Sequence, residues 1–258
     1  MSTSDRFTFL VGGEAGHGVR RAGIVVGDFA GELGRYTFQL DDYQSLIRGG
    51  HNFSVVTSSP EPVFSQHMRA DLVVALDRRS YELHQEHLSP RGVLVYNADA
   101  VDSGVANGIG LPLFSLAKGY TEPALRLGVA SVVAFLSTAG FSRERVAEFV
   151  RRKYPRDADS NVAYGLSVYD VADEKLHGRF PLAEGSAPSA MLTGNEAIGL
   201  GMYAGGLDMY FAYPMTPSSS ILHFLAANAE EFGIAVVHPE NEIAVVNMAI
   251  GAASVGAR

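Results

Sequence analysis

Short apolar runs and helix-period segments alternate along this chain, and that alternation limits the possible folds more than any other feature. Phe7–Val11 is a strand-length apolar run, and Gly12–Gly18 is rich in glycine. Val19–Leu33 then places Val19, Ala22, Val26, Phe29, Ala30 and Leu33 at helical spacing and stops at Gly34. Tyr36–Leu40 and Phe53–Thr57 have strand character, and Asp71–Leu76 and Gly92–Tyr96 are β-rich runs flanking a polar helix around Arg78–His87. Strands alternating with helices predict an α/β layer with a largely parallel sheet.

The texture turns helical between Glu122 and Arg152. Ser142 is placed to cap a helix through Phe149, with Arg151, Arg152 and Lys153 in its last turn, and another helix is expected over Ser160–Val171. From Ala172 to Ala190 the sequence mixes charge, Gly, Pro and Ser without period, so a linker is expected, with residues 176–190 as the boundary. A second α/β pattern follows: helix Asn195–Ala204, strand Met209–Tyr213, helix Pro217–Phe232, strand Ile234–Val237 and a helix from Pro239 onward. This pattern reaches Arg258 with a thin core for a parallel fold, so the expectation is a fragment of a longer domain.

Composition removes several function classes. With 47% hydrophobic and 19% charged residues the chain can build a core. A net charge of −8 opposes general affinity for nucleic acid or anionic membrane. The longest apolar stretches, Leu127–Phe141 and Ile243–Ala257, are too short and too interrupted to cross a bilayer, and the first residues lack the apolar middle of a secretion signal. The absence of cysteine excludes disulfides, a thiol nucleophile and cysteine-held zinc or iron–sulfur clusters within the chain. A cytoplasmic globular protein is expected.

Four segments bear on chemistry. Gly12-Gly-Glu-Ala-Gly-His-Gly18 separates a strand from a helix, where backbone amides can hold phosphate. Its glycine order is the reverse of the dinucleotide fingerprint, and no lysine follows to make a phosphate loop. A tight structural turn is an equal alternative, while Asp41 or Asp42 could mimic a ribose-binding acid. In Ile47-Arg-Gly-Gly-His51, Arg48 is a plausible anion contact or a solvated loop residue; His17 and His51 lack metal-like spacing. Thr216, in Tyr213-Pro-Met-Thr-Pro-Ser218, is placed to cap a helix with Pro217 at its first position; the same hydroxyl and amides suit a small carboxylate. Glu242, in His238-Pro-Glu-Asn-Glu242, precedes the apolar run Ile243–Ile250. Either it complements the helix dipole, or partial desolvation at that edge fits it to exchange protons with a ring nitrogen.

Together these segments resemble the 2-oxoacid:ferredoxin oxidoreductases, specifically the alpha subunit in which a gamma-type domain is fused ahead of a pyrimidine-binding domain. The resemblance lies in Gly13–Val19, Ile47–His51, Ala70–Leu76 and Gly92–Asn97, then in Gly194-Asn-Glu-Ala197, Tyr213–Ser218, Glu240–Ala244 and Met248–Ala252. Met215 stands where isoleucine is usual, and His17 where glutamine is common. The resemblance implies a gamma-type α/β domain over residues 1–175 and an incomplete thiamine-diphosphate-binding (pyrimidine) α/β domain over 191–258.

By resemblance, Glu242 takes the place of the glutamate that hydrogen-bonds the aminopyrimidine of thiamine diphosphate and promotes its imino tautomer. Thr216 would hold the substrate carboxylate or help seat the cofactor, with Tyr213 and Pro214 beside it. Gly16, Gly18 and Arg48 are candidates for admitting coenzyme A. A partner beta subunit would hold the diphosphate, magnesium and an iron–sulfur cluster, with ferredoxin as electron acceptor. The implied reaction is oxidative decarboxylation of a 2-oxoacid, 2-oxoglutarate before pyruvate, to acyl-CoA and carbon dioxide. The competing readings are a nicotinamide-dependent dehydrogenase, resting on the glycine loop and Asp41 or Asp42, and a truncated, non-catalytic interaction module.

Overall fold

The computed structural model describes residues 6–43, 49–102, 108–186 and 191–258. It divides into two compact units, one running to Met191 and the other comprising Leu192–Arg258.

The first unit is built on six strands: β1 (Phe7–Ala15), β2 (Tyr36–Asp42), β3 (Gly49–Ser59), β4 (Ala70–Ala75), β5 (Leu88–Asn97) and β6 (Gly108–Leu111). Their spatial order is β2-β3-β1-β4-β5-β6. The strands β1, β4, β5 and β6 run parallel, whereas β3 is antiparallel to both β1 and β2. The sheet is therefore largely parallel, as expected, with β3 alone of the six strands running the other way. The cause is chain length: the stretch from Asp42 to Gly49 is too short for a crossover, so β3 returns antiparallel and lies between β2 and β1. The strand β1 also extends further than its apolar run. Gly12 and Gly13 pair with Phe53 and Asn52 inside the ladder, which confines the turn to Gly16–Gly18.

Helices α1 (Val19–Glu32), α2 (Arg78–His84), α3 (Leu113–Ala117), α4 (Pro123–Thr138), α5 (Arg143–Lys153) and α6 (Ala158–Leu176) complete this unit. Every residue of α4 from Arg126 to Thr138 is buried. A helix apolar on nearly all sides belongs in a core, and its buried polar groups are satisfied: Ser131 Oγ donates to Leu127 O, Thr138 Oγ1 to Ala134 O, Ser137 Oγ to Asp173 Oδ1 and Arg126 Nη1 to Asn161 Oδ1. Phe135 is the centre of the packing, its ring 5.8 Å from Phe7, 5.8 Å from Phe9 and 5.3 Å from Phe29. Ser142 caps α5 as expected, accepting from Arg145 N.

The expected linker begins as helix, since α6 runs to Leu176. Beyond it, Gly178 N donates to Ser137 O (3.0 Å), Phe180 N to Thr138 O (2.9 Å) and Gly185 N to Leu33 O (2.8 Å). Arg35, fully buried, donates from Nε to Ser58 Oγ (2.7 Å) and from Nη1 to Ala183 O (2.8 Å). Residues 177–185 are thus a strap bonded onto the first unit.

The second unit contains α7 (Gly194–Ala204), β7 (Met209–Phe211), α8 (Ser219–Ala227), α9 (Ala229–Phe232), β8 (Ala235–Val237) and α10 (Glu242–Ser254). Its small core is Ile221, Leu225 and Ile234, with Phe224, Phe232 and Tyr210 packed around them. The single helix expected over Pro217–Phe232 starts at Ser219 and is interrupted at Asn228. There the backbone leaves helical geometry, and the Asn228 side chain donates to Phe224 O (2.7 Å) beside its own backbone N–H (3.2 Å), so one carbonyl takes both bonds at the break.

Candidate active site

In the second unit β7 and β8 pair in parallel, so their carboxyl ends open at one edge. Ala212 N extends the pairing one step, donating to Val237 O (3.2 Å). From these ends emerge the segment Tyr213–Ser218 and the segment His238–Asn241, and the rings of Tyr213 and His238 lie 6.0 Å apart. Ligands of parallel α/β sheets bind outside such strand ends, where loops and helix starts supply free amides.

Thr216 does not cap α8. The residue in the cap position is Ser218, with no side-chain cap bond, and Thr216 is exposed in the turn before it. Ser218 N and Ser219 N both donate to Met215 O (2.8 and 3.0 Å), and Ser218 Oγ does so at 2.9 Å, so the turn closes through Met215. That leaves the Thr216 hydroxyl outside the capping bonds. A residue without an assigned role in the sequence holds this turn in place: Asn195 of α7 donates from Nδ2 to Pro217 O (2.8 Å) and to Ser220 Oγ (2.6 Å). Its footing is firm, because Thr193 and Glu196 form a reciprocal capping box around it. The available signal was Asn195 lying one residue after the helix start in a motif already singled out.

Glu242 is the first residue of α10, and Asn241 caps the helix by accepting from Ala244 N (2.9 Å). The expected partial desolvation is absent: Glu242 is exposed. The apolar run beside it is exposed as well, with Ile243 at 75%, Val246 at 57% and Ile250 at 63% of their full surface. These three share one face of the helix by their i, i+3, i+7 spacing. A carboxylate with no ion pair among the described residues stands at the dipole's positive end of a helix whose greasy stripe faces water.

In the first unit, Gly16 and Gly18 have φ of 102° and 73°. At Gly16 a Cβ would meet nothing, whereas at Gly18 it would lie 2.9 Å from Leu125 O, so the second glycine is required by the approach of α4. Arg48 lies outside the described residues. Asp41 sits on β2 and is engaged by Gln39 Nε2 (2.8 Å), Ser54 Oγ (2.7 Å) and Arg20 Nε (3.5 Å). Since β3 separates β2 from β1, the acid is not on the strand next to the glycine loop, as a nicotinamide site would need.

Sequence spacing also missed a line of histidines. His51 Nε2 lies 2.9 Å from His84 Nε2, His84 Nδ1 lies 3.3 Å from His87 Nδ1, and Ser80 Oγ lies 3.4 Å from His51 Nδ1. Burial pushes the His84 imidazole down to about 3, with His51 and His87 adding to the effect. His17 is separate, its Nδ1 accepting from Glu14 N (3.1 Å). Among the described residues, no group of three or more His, Asp or Glu is arranged to hold a metal.

The family model described as pyruvate ferredoxin/flavodoxin oxidoreductase matches residues 8–170. The chain belongs to this family. A second model, for the thiamine diphosphate-binding part of pyruvate flavodoxin/ferredoxin oxidoreductase, matches residues 200–258, the unit that carries Thr216 and Glu242. The 2-oxoacid:ferredoxin oxidoreductase 2 alpha subunit of Aeropyrum pernix is 26% identical over 97% of this chain and 50% of its own length. The ketoisovalerate oxidoreductase subunit VorB of Methanothermobacter thermautotrophicus is 43% identical over 26% of this chain and 19% of its own. Among solved structures, the 2-oxoglutarate:ferredoxin oxidoreductase of Magnetococcus marinus, with 2-oxoglutarate, coenzyme A and succinyl-CoA bound, superposes with a TM-score of 0.81 at 22% identity, covering 98% of this chain and 46% of that one. A keto/oxoacid ferredoxin oxidoreductase gamma subunit from Geobacter sulfurreducens has a TM-score of 0.54 at 21% identity, covering 65% and 96%. The chain spans about half the length of the alpha-subunit relative from Aeropyrum pernix.

Proposed function

We propose that this chain contributes the gamma-type domain (residues 1–175) and the start of the pyrimidine-binding domain (191–258) to a cytoplasmic 2-oxoacid:ferredoxin oxidoreductase. The observation that supports this most is the second unit's strand edge, where parallel β7 and β8 deliver the Tyr213–Ser218 turn and the Glu242 helix start to one place. The residues present suit thiamine diphosphate: an exposed carboxylate without an ion pair among the described residues can accept a hydrogen bond from a ring, and a threonine hydroxyl free of capping bonds lies on the neighbouring turn. Bound there, the cofactor would supply the electron sink for decarboxylation. Glu242 would hold a proton at the aminopyrimidine. Thr216, kept in position by Asn195, would orient the substrate carboxylate or the cofactor, with Tyr213 and Pro214 shaping that wall. Covering the apolar stripe of α10 in the assembled enzyme would desolvate Glu242 and favour the protonated form this role needs.

A 2-oxoacid, coenzyme A and ferredoxin have counterparts among the similar proteins, whereas the beta subunit with its magnesium and cluster rests on the motif resemblance alone. The substrate is a 2-oxoacid, 2-oxoglutarate before pyruvate, and coenzyme A is the acyl acceptor, with Gly16, Gly18 and Arg48 on its side. A beta subunit would hold magnesium, the diphosphate and an iron–sulfur cluster, and ferredoxin would take the electrons. The test is substrate-dependent viologen reduction by the chain assembled with its partner. Glu242→Gln is expected to lower the rate at least about 100-fold while co-elution with the partner is unchanged, because the amide keeps a hydrogen bond but cannot shuttle the proton. A near-normal rate would remove Glu242 from the chemistry. Thr216→Val is expected to raise KM or lower kcat; if both stay unchanged, the hydroxyl has no part in binding.

A further inference from the structure

The first unit contains a cleft of about 570 Å³ at the meeting of α1, α4 and α6, a volume typical of small-molecule sites. Gly18 at the head of α1, Leu125 and Val129 of α4 and Tyr154 after α5 form its walls. Three long helices, of 14, 16 and 19 residues, begin here, and none of the three has a side-chain cap; Pro123 brings no amide to the head of α4 and Leu125 N donates to Glu122 O (3.1 Å), so the first-turn amides on offer are those of α1 and α6.

The charges at this cleft are not all committed. Lys153 pairs with Asp28 and Glu32, and Arg126 pairs with Asp157. Among the described residues Arg21 and Arg156 line the cleft without a carboxylate partner; Arg21 donates to Lys153 O (2.6 Å) and lies over the Tyr154 ring at 5.7 Å. Among the described residues, the acid of this lining without an ion pair is Glu122. The Tyr154 hydroxyl is buried without a hydrogen-bond partner, the one such side-chain atom among the described residues of this wall. A mostly apolar hollow lined by two guanidiniums without carboxylate partners among the described residues, in a chain of net charge −8, is selective for one kind of occupant.

We infer that this cleft binds a small organic anion, a carboxylate or phosphate head on an apolar body, with Arg21 and Arg156 on the head group and Leu125 and Val129 against the body. Two head groups share that chemistry, and titration calorimetry on the 258-residue chain with phenyl phosphate in one arm and benzoate in the other distinguishes them. Saturable binding of at least one probe is expected. Arg156→Gln, at an exposed arginine with no side-chain hydrogen bond or ion pair among the described residues, and Arg21→Gln should each weaken it about tenfold. Glu122→Gln should tighten it by removing the opposing charge. Arg145→Gln, an exposed arginine lying over Phe141, should leave it unchanged. The inference is overturned if neither probe saturates, if Arg156→Gln binds like the parent, or if Arg145→Gln loses as much as Arg156→Gln.

Discussion

At the scale of single residues, the histidine line is the feature with the clearest measurable consequence. One tautomer set satisfies it with every ring neutral: Ser80 donates to His51 Nδ1, His51 Nε2–H to His84 Nε2, and His84 Nδ1–H to His87 Nδ1. His84 is held neutral in the fold down to about 3, but takes a proton near 6.5 once unfolded. The unfolded chain therefore binds the extra proton as pH falls below 6.5, so stability is complete above that value and declines through the window down to about 3. Inside the window the decline is about 1.4 kcal/mol per pH unit for one proton. Urea unfolding at pH 6 and pH 4.5 should show a smaller difference for His84→Gln than for the parent. Equal slopes would mean that the ring is not buried neutral. Little of this was legible in sequence: His84 and His87 are neighbours three residues apart in and just after α2, but His51 reaches them only through the pairing of β3 with β1 and the docking of α2 beside it. The roles given to Thr216 and Glu242 had a different difficulty. Their positions at strand ends were readable from pattern, while the cap at Ser218 and the exposure of Glu242 depend on turn geometry and on what covers α10.

At the scale of elements, α4 and its contact with α1 carry the first unit. Phe135 touches three other phenylalanine rings, and Phe135→Ala is expected to cost about 3–5 kcal/mol, read as a shift in the urea midpoint at unchanged slope. Gly128 is a second critical point, since a Cβ there would lie 2.7 Å from Gly18 O. Gly128→Ala should lower the melting temperature by forcing the head of α1 away from α4, whereas Gly194→Ala, whose Cβ meets nothing, should have little effect. An unchanged melting temperature for Gly128→Ala would show that the two backbones separate at no cost. The long elements were legible because their burial pattern is written in the residues themselves, as in Val19–Leu33 and in the continuous apolar run of α4. The antiparallel return of β3 was not, because an apolar strand carries no mark of its neighbour's direction. Short β6 and α3 escaped for lack of enough residues to set a period.

At the scale of the whole chain, the two units differ in how much core they own. The first is closed by its own strap, so a chain ending at Met191 is expected to keep a cooperative melting transition. The second, Leu192–Arg258, centres on Ile221, Leu225 and Ile234, a core too small to expect robust folding in isolation. Circular dichroism melts of both pieces check this; a sharp transition from Leu192–Arg258 alone would contradict it. A last consequence belongs to α10, a helix with no buried residue. Each square ångström of its aliphatic stripe left wet forgoes roughly 25 cal/mol, so the purified chain should be colloidally fragile. Light scattering should rise with protein concentration, mild detergent should suppress that rise, and Ile243→Lys with Ile250→Lys should do so without any additive.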